Sequence, residues 1–260
     1  MPVWLVGAGP GDPELLTLKA ARLIAECDIL FFDALVGPRV LALAPAHVRR
    51  VNVGKRSGRH SRDQDSINAL LIDAALSGQK VVRLKGGDPS VFGRSSEEIA
   101  ALTRCGVAVH VCPGVTAASA AAAAGRVSLT LRGVARQLTF VTAHVRGDEP
   151  LSLDWATLAR SDAALAVYMG RAAAPEIARN LIAHGLDPAT PVLIAVNVSL
   201  PDERIIHGRL ETLAFLTATV SDDDPTLVLI GEAVRPIDIP AEAIAHGRTV
   251  GSPSPLLQGF

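Results

Sequence analysis

Val6-Gly7-Ala8-Gly9-Pro10-Gly11-Asp12-Pro13 constrains the fold more than any other stretch of this chain. It follows the apolar run Val3-Trp4-Leu5-Val6, which reads as a buried strand. Three glycines in five residues allow a tight turn and leave the backbone bare toward a ligand. The dinucleotide fingerprint is G-x-G-x-x-G with a helix opening inside it. Here the third glycine comes one residue early, and Pro10 and Pro13 interrupt the loop. A helix can start only at Asp12 or beyond, with Asp12 as N-cap, Pro13 in the first position and Glu14 at the positive end of the dipole. The unit is strand, glycine loop, helix, and its spacing argues against a nicotinamide site.

The rest of the chain repeats this alternation. Val3–Val6, Ile29–Phe32, Val48–Val53, Val81–Leu84 and Val107–Val111 read as strands. Glu14–Cys27, Pro38–Leu43, Asp63–Ser77 and Ser96–Arg104 read as the helices between them, the third opened by a Ser61-x-x-Gln64 capping box. The order implies a mostly parallel α/β sheet. After Pro113-Gly114 a small-residue helix, Val115–Ala124, ends at Gly125. A second set of strands follows at Leu138–Ala143, Ala164–Tyr168, Val192–Val196, Arg204–His207 and Thr226–Gly231. Helices are expected at Trp155–Ala159, Ala172–His184 and Leu210–Leu216, and Pro201-Asp202-Glu203 reads as a turn between antiparallel strands. The organisation is two α/β lobes, 1–114 and 115–235, with a Pro-, Gly- and Ser-bearing tail over 236–260.

With 260 residues and a formal net charge of −1, bulk attraction to nucleic acid or membrane is not expected, and an anionic ligand needs a local cluster. No apolar run reaches the roughly 18 residues of a membrane span. The chain starts almost directly on a strand, so no signal peptide is expected, and a reduced, cytoplasmic setting follows. Cys27, Cys105 and Cys112 lack C-x-x-C spacing and read as buried free thiols, with no metal site expected. Neither a G-x-S-x-G nucleophile motif nor a G-x-x-x-x-G-K-[ST] phosphate loop is present.

Several segments sit where α/β sheets bind ligands, at the carboxyl ends of strands. Lys85-Gly86-Gly87-Asp88-Pro89 is either a tight turn or a second ligand loop. Lys55-Arg56-Ser57-Gly58-Arg59-His60-Ser61-Arg62 holds four cations and a histidine, and suits either a solvated basic loop or a clamp for a polyanion. Arg132, Arg136 and Arg146 are candidates to join such a clamp. Asp33 follows a strand, where it either terminates the strand, holds a ribose or acts as a general base. Met169, in Tyr168-Met169-Gly170, taken alone suits a core better than a ligand contact.

Taken together and in order, the glycine loop at 6–13, Asp33, Val53-Gly-Lys-Arg56, Leu84-Lys-Gly-Gly-Asp-Pro89, Phe92-Gly-Arg94, Pro113-Gly-Val-Thr-Ala-Ala-Ser119, Phe140-Val-Thr-Ala-His144 and Tyr168-Met-Gly170 resemble the uroporphyrinogen-III C-methyltransferases of the tetrapyrrole methylase superfamily. The resemblance implies a homodimer of two-lobed α/β subunits with the active site in the interlobe cleft. It implies transfer of methyl groups from S-adenosylmethionine to C2 and C7 of uroporphyrinogen III, giving precorrin-2 by way of precorrin-1 and releasing S-adenosylhomocysteine. By position it places Pro10, Gly86, Gly87, Asp88, Val91, Thr116, Ala117 and Met169 at the methyl donor, with Val198 where the family carries a cofactor-contacting glycine. Asp33 matches the proposed proton acceptor and Lys55 the proposed donor, while Arg56, Arg59, Arg62, Arg132 and Arg136 meet the substrate's carboxylates.

The pyrrole carbon is itself the nucleophile and the sulfonium activates the methyl, so neither a protein nucleophile nor a metal is required. Positioning is then the main catalytic task. The chain departs from the family pattern at Ser90, which replaces an aromatic, at Ser95-Ser96, which replace glycines, at Leu131 and Gly133, and at Val198. The alternatives are another precorrin C-methyltransferase of the same superfamily, a nicotinamide oxidoreductase and a non-catalytic tetrapyrrole carrier.

Overall fold

The computed structural model describes residues 1–54, 64–144 and 151–236. Lys55, Arg56, Arg59, Arg62, Arg146, the Ser61 capping box and nearly all of the expected tail lie outside the described residues.

The first sheet has the order β3-β2-β4-β1-β5, formed by β1 (Val3–Gly7), β2 (Ile29–Phe32), β3 (Arg49–Asn52), β4 (Val81–Lys85) and β5 (Val109–Cys112). Every pairing in it is parallel. The period-two alternation of these strands decides what covers each face. Val6, Leu30, Val82 and Leu84 pack under α1 (Leu18–Glu26) and α2 (Pro38–Leu41). Val3, Leu5, Ile29, Phe31 and Val81 pack under α3 (Gln64–Leu76) and α4 (Ser95–Arg104). Arg83 and Lys85 share the face of Val81 and alternate with Val82 and Leu84, so both charges are directed to the α3/α4 side.

The order also creates a switch point. The chain leaves β1 toward β2 on one side, and leaves the adjacent β4 toward β5 on the other. The two connections therefore cross at the strand ends and lead to helices on opposite faces of the sheet, and ligands bind at such switch points.

The second sheet has the order β6-β7-β10-β8-β9, from β6 (Gln137–Thr142), β7 (Ala163–Tyr168), β8 (Pro191–Val196), β9 (Arg204–Arg209) and β10 (Thr226–Ile230). Only β6 and β7 pair in parallel; the other pairings are antiparallel. The expectation of a mostly parallel arrangement therefore holds for the first sheet alone. The turn at 201–203 folds β9 straight back on β8, and β10 inserts between β7 and β8. One face packs against α6 (Trp155–Leu158), α7 (Ala174–Ala183) and α8 (Leu213–Ala218). The other face, with Ala166, Leu193, Ala195, Leu227 and Leu229, packs against α5 (Ala117–Ala124). The alanines of α5 are what allow this close approach, since Ala118 and Ala121 are fully buried.

Three expectations need correction. The helix expected over 14–27 is broken: Pro13–Leu15 forms a single 3-10 turn, Leu16 is extended (φ −69°, ψ 143°), and Thr17 restarts the helix by accepting from the Ala20 N–H at 3.1 Å. The helix expected at 210 likewise begins as a 3-10 turn, Leu210–Thr212, before α8. Cys105 is exposed, because it caps α4 at the surface, whereas Cys27 and Cys112 are buried. Burial pushes the Cys27 thiol up to about 11, so it stays protonated and inert. Among the described residues, no helix is long and apolar enough to cross a membrane.

Enlarging Ala121 to Leu overfills the α5–sheet contact and is expected to cost about 1–3 kcal/mol. Ala123, exposed on the same helix, is the control. Thermal melts should show a loss of several degrees for Ala121→Leu and almost none for Ala123→Leu; equal melting points would show that α5 is not packed as described.

Candidate functional site: a glycine crossing beside a buried charge cluster

The loops leaving β1, β4 and β5 cross at three glycines. A Cβ placed on Gly7 would lie 2.6 Å from the Gly114 nitrogen and 2.7 Å from the Gly87 oxygen; one on Gly114 would lie 2.9 Å from the Gly7 Cα. These distances are too short for any side chain, so glycine is required at both positions. Beyond the strand ends, Gly9 and Gly87 exchange two backbone hydrogen bonds, 3.2 and 2.7 Å. Both adopt left-handed backbone, φ +66° and +67°, which glycine tolerates.

Asp88 ties the crossing together. Its carboxylate accepts from the Gly114 N–H at 3.0 Å, from the Ser90 N–H at 2.8 Å and from the Ser90 hydroxyl. Burial alone would push this carboxyl up, but the three hydrogen bonds outweigh it and hold it below the usual carboxylate range. Ser90 thus contributes a hydroxyl held close to the backbone, which an aromatic residue cannot place there. Ser95 similarly donates to the Pro89 carbonyl. Val91 is half-buried on the same turn, its N–H donating to the Asp88 carbonyl at 3.1 Å.

Around the crossing the surface is open. A Cβ on Gly87 would meet only the Ala117 nitrogen, at 4.0 Å. Gly86 packs against Leu35, and Pro10 is half-buried in the first loop. Thr116 caps α5 by accepting from the Ser119 N–H at 3.3 Å, and the Ala118 N–H donates to the Tyr168 hydroxyl at 3.3 Å. Tyr168 in turn packs against Phe92 and Phe140, with ring centroids 5.1 and 5.7 Å away. Met169 follows at φ 55° and is 50 % exposed, a surface position at the end of β7 and not the core position its residue type suggests.

Asp33 stands at the end of β2, with 24 % of its side chain exposed. Its Oδ1 accepts from the Leu35 N–H at 3.1 Å, and its Oδ2 lies 3.5 Å from an Arg83 terminal nitrogen. Gly54 backs directly onto Asp33, where a Cβ would come within 2.7 Å of the Asp33 Cα. Behind Asp33 is a cluster that the sequence reading did not single out. Glu98, fully buried, accepts from Arg83 Nε at 3.2 Å, from Lys85 Nζ at 2.8 Å and from Gln64 Nε2 at 3.3 Å. Burial and the neighbouring Arg83 lower the Lys85 ammonium, while Glu98 opposes them. The available signal was two cations in a strand, V-V-R-L-K, that is otherwise apolar and buried throughout.

The two lobes also meet at a third place. The Asp12 N–H donates to the Ser199 hydroxyl at 3.0 Å, and Leu200 sits against Gly11. Val198 is buried, with its side chain in the core against α5, so only its backbone is available to a ligand.

Arg132 and Arg136 do not join this group. Arg136 precedes Gln137, whose register partner is Ala163, whereas Met169 follows Tyr168 at the far end of the same strand pair. Six residues of strand separate the two ends, about 20 Å. The Leu131–Ala135 bridge holds Arg132 beside Arg136. Both are exposed at that opposite end, and the Lys55–Arg62 loop with which they are expected to form a clamp lies outside the described residues.

Because Asp88 is held ionised, its stabilising effect is complete above the ordinary carboxylate range and is lost as the pH falls through its depressed folded value. Asp88→Asn should therefore lower the melting temperature most near neutrality, by the equivalent of about 2 kcal/mol. The gap should close below about pH 4. A gap that is constant from pH 7 to pH 3 would contradict this.

Known proteins resemble this chain in sequence and in fold. Residues 2–214 match the family Tetrapyrrole (Corrin/Porphyrin) Methylases. The chain is 49 % identical over 227 residues to a uroporphyrinogen-III C-methyltransferase of Paracoccus denitrificans, covering 87 % of this chain and 79 % of that protein. It is 45 % identical over 237 residues to a siroheme synthase of Methylococcus capsulatus, covering 90 % of this chain but only 50 % of that protein, so it spans about half of that relative's length. A crystal structure of the uroporphyrin-III C-methyl transferase of Thermus thermophilus, complexed with S-adenyl homocysteine, superposes with a TM-score of 0.76 at 44 % identity, covering 90 % of this chain and 99 % of that one. A cobalt precorrin-4 methyltransferase superposes with a TM-score of 0.81 at 27 % identity, covering 90 % and 96 %. With a family match over most of its length and a relative at 49 % identity, the chain belongs to the tetrapyrrole methylases and is a methyltransferase.

Proposed function

We propose that this methyltransferase transfers methyl groups from S-adenosylmethionine to C2 and C7 of uroporphyrinogen III, giving precorrin-2 by way of precorrin-1. The observation that carries the reading is the bare glycine crossing, with the partly exposed Asp33 at the next strand end. The identity to the Paracoccus relative supports the choice of substrate, and the ligand named for the Thermus structure supports the methyl donor.

The residues present fit such a donor. Gly86, Gly87, Thr116 and Ala117 offer backbone and small side chains around an open floor, and Met169 and Pro10 flank it. Asp88 acts on the donor through the loop it fixes, since its oxygens are engaged by Ser90 and Gly114. S-adenosylmethionine supplies a methyl made electrophilic by its sulfonium. The pyrrole carbon forms the new C–C bond with its own electron pair as the C–S bond breaks, leaving a neutral thioether product. A proton must then leave the macrocycle, and Asp33, beside Arg83, accepts it. Lys55 is assigned the role of proton donor, and Arg56, Arg59 and Arg62 that of binding the substrate's carboxylates. The enzyme is further assigned as a cytoplasmic homodimer.

The test is anaerobic turnover of uroporphyrinogen III with S-adenosylmethionine, followed by product mass. A gain of two methyl groups is expected; no methylation, with S-adenosylhomocysteine still bound, would move the substrate to a later precorrin. Asp33→Ala should lower kcat by about 100-fold or more. Its affinity for S-adenosylhomocysteine should stay near that of wild type. Arg56→Ala should raise KM for the tetrapyrrole and not for the methyl donor; an equal rise in both would refute the carboxylate role.

A further inference from the structure

We propose that Arg83 is a positioning residue for Asp33 and that Glu98 sets Arg83 for that task. The inference rests on the reading of Asp33 as proton acceptor. It starts from an anomaly: Arg83 lies in the middle of a strand whose five residues are all buried. Desolvating a guanidinium costs several kcal/mol unless partners replace water. Here each part of the fork has one. Nε donates to Glu98 at 3.2 Å, one terminal nitrogen donates to the Leu84 carbonyl at 2.9 Å, and the other faces Asp33 at 3.5 Å.

The two carboxylates differ in kind. Glu98 is fully buried and saturated by Arg83, Lys85 and Gln64, so it is an anchor with no freedom. Asp33 is partly exposed, and its contact with Arg83 is longer than a hydrogen bond. Such a contact orients the carboxyl group without occupying the lone pair that must take the proton. The planar guanidinium presents separate nitrogens to the two carboxylates, a fixed geometry that the single nitrogen of an ammonium does not reproduce. The other charges behind Asp33 are Lys85 and Glu98, which neutralise each other at 2.8 Å and leave Arg83 as the cation Asp33 faces among the described residues.

The test compares Arg83→Met, Arg83→Lys and Asp33→Asn with wild type, with uroporphyrinogen III as substrate. It reads kcat, both KM values and the Kd for S-adenosylhomocysteine. Arg83→Met should lower kcat about 10-fold or more, with both KM values and the Kd for S-adenosylhomocysteine unchanged. Arg83→Lys should also lose kcat, because a single nitrogen does not reproduce the fork that reaches Glu98 and Asp33. If Arg83→Met fails to fold, Arg83→Lys decides: reduced kcat with normal S-adenosylhomocysteine binding supports the proposal, and wild-type kcat overturns it. A lowered kcat in Arg83→Met accompanied by weakened S-adenosylhomocysteine binding or a raised KM for either substrate also overturns it, as a structural role. If Asp33→Asn keeps its turnover, the proton-acceptor reading itself fails; if Asp33→Asn is inactive while Arg83→Met matches wild type, only the present proposal fails.

Discussion

Three backbones cross at Gly7, Gly87 and Gly114, closer than any side chain allows. The rest of the site depends on that contact. It brings the ends of β1, β4 and β5 to one point, and from there the chain passes into α5 and the second lobe. Asp88 stabilises the crossing from the side by bonding to Gly114 across the gap, and Ser90 completes the shell of donors around its carboxylate. The result is a patch of backbone that is partly exposed at Gly86, Gly87 and Gly114 and closed behind by the buried Gly7. A ligand surface built from main chain on parallel strand ends is preorganised and needs little rearrangement on binding.

A second constraint lies under the first. Arg83, Lys85 and Glu98 sit among apolar residues beneath α3 and α4. Buried ion pairs are weak evidence for stability, because desolvation offsets most of the attraction. Their location is more informative. The strand that carries both cations ends in the Gly86–Gly87 loop, and Arg83 also reaches Asp33 at the neighbouring strand end. The same cluster therefore bears on both the donor loop and the proposed base.

Much of this was legible in the sequence. The alternation of apolar runs and helical spacing located the strands to within a residue or two, because strands buried on both faces are written as short apolar blocks. Pro13 and Asp12 marked a helical start correctly in kind, but the sequence did not show that Leu16 turns out and Thr17 begins again. The antiparallel character of the second sheet was hidden apart from the 201–203 turn, since period-two patterning carries no strand direction. Strand direction also sets how far Arg132 and Arg136 lie from Met169, since they occupy the opposite end of β6. Ser90 and Ser95 were visible as departures from a pattern, but their reason is three-dimensional, in the hydrogen bonds they donate to Asp88 and Pro89. Glu98 was one acidic residue in an acidic first turn until the fold laid it over β4.

The central claim is that the glycine crossing forms the floor of the methyl-donor site and that Asp33 faces the same cleft. A crystal structure of the chain with S-adenosylhomocysteine tests this most directly. The account predicts the ligand against Gly86, Gly87, Thr116 and Ala117, with its sulfur directed toward the space in front of Asp33. Density for the ligand elsewhere, or a sulfur turned away from Asp33 toward the second sheet, would contradict it.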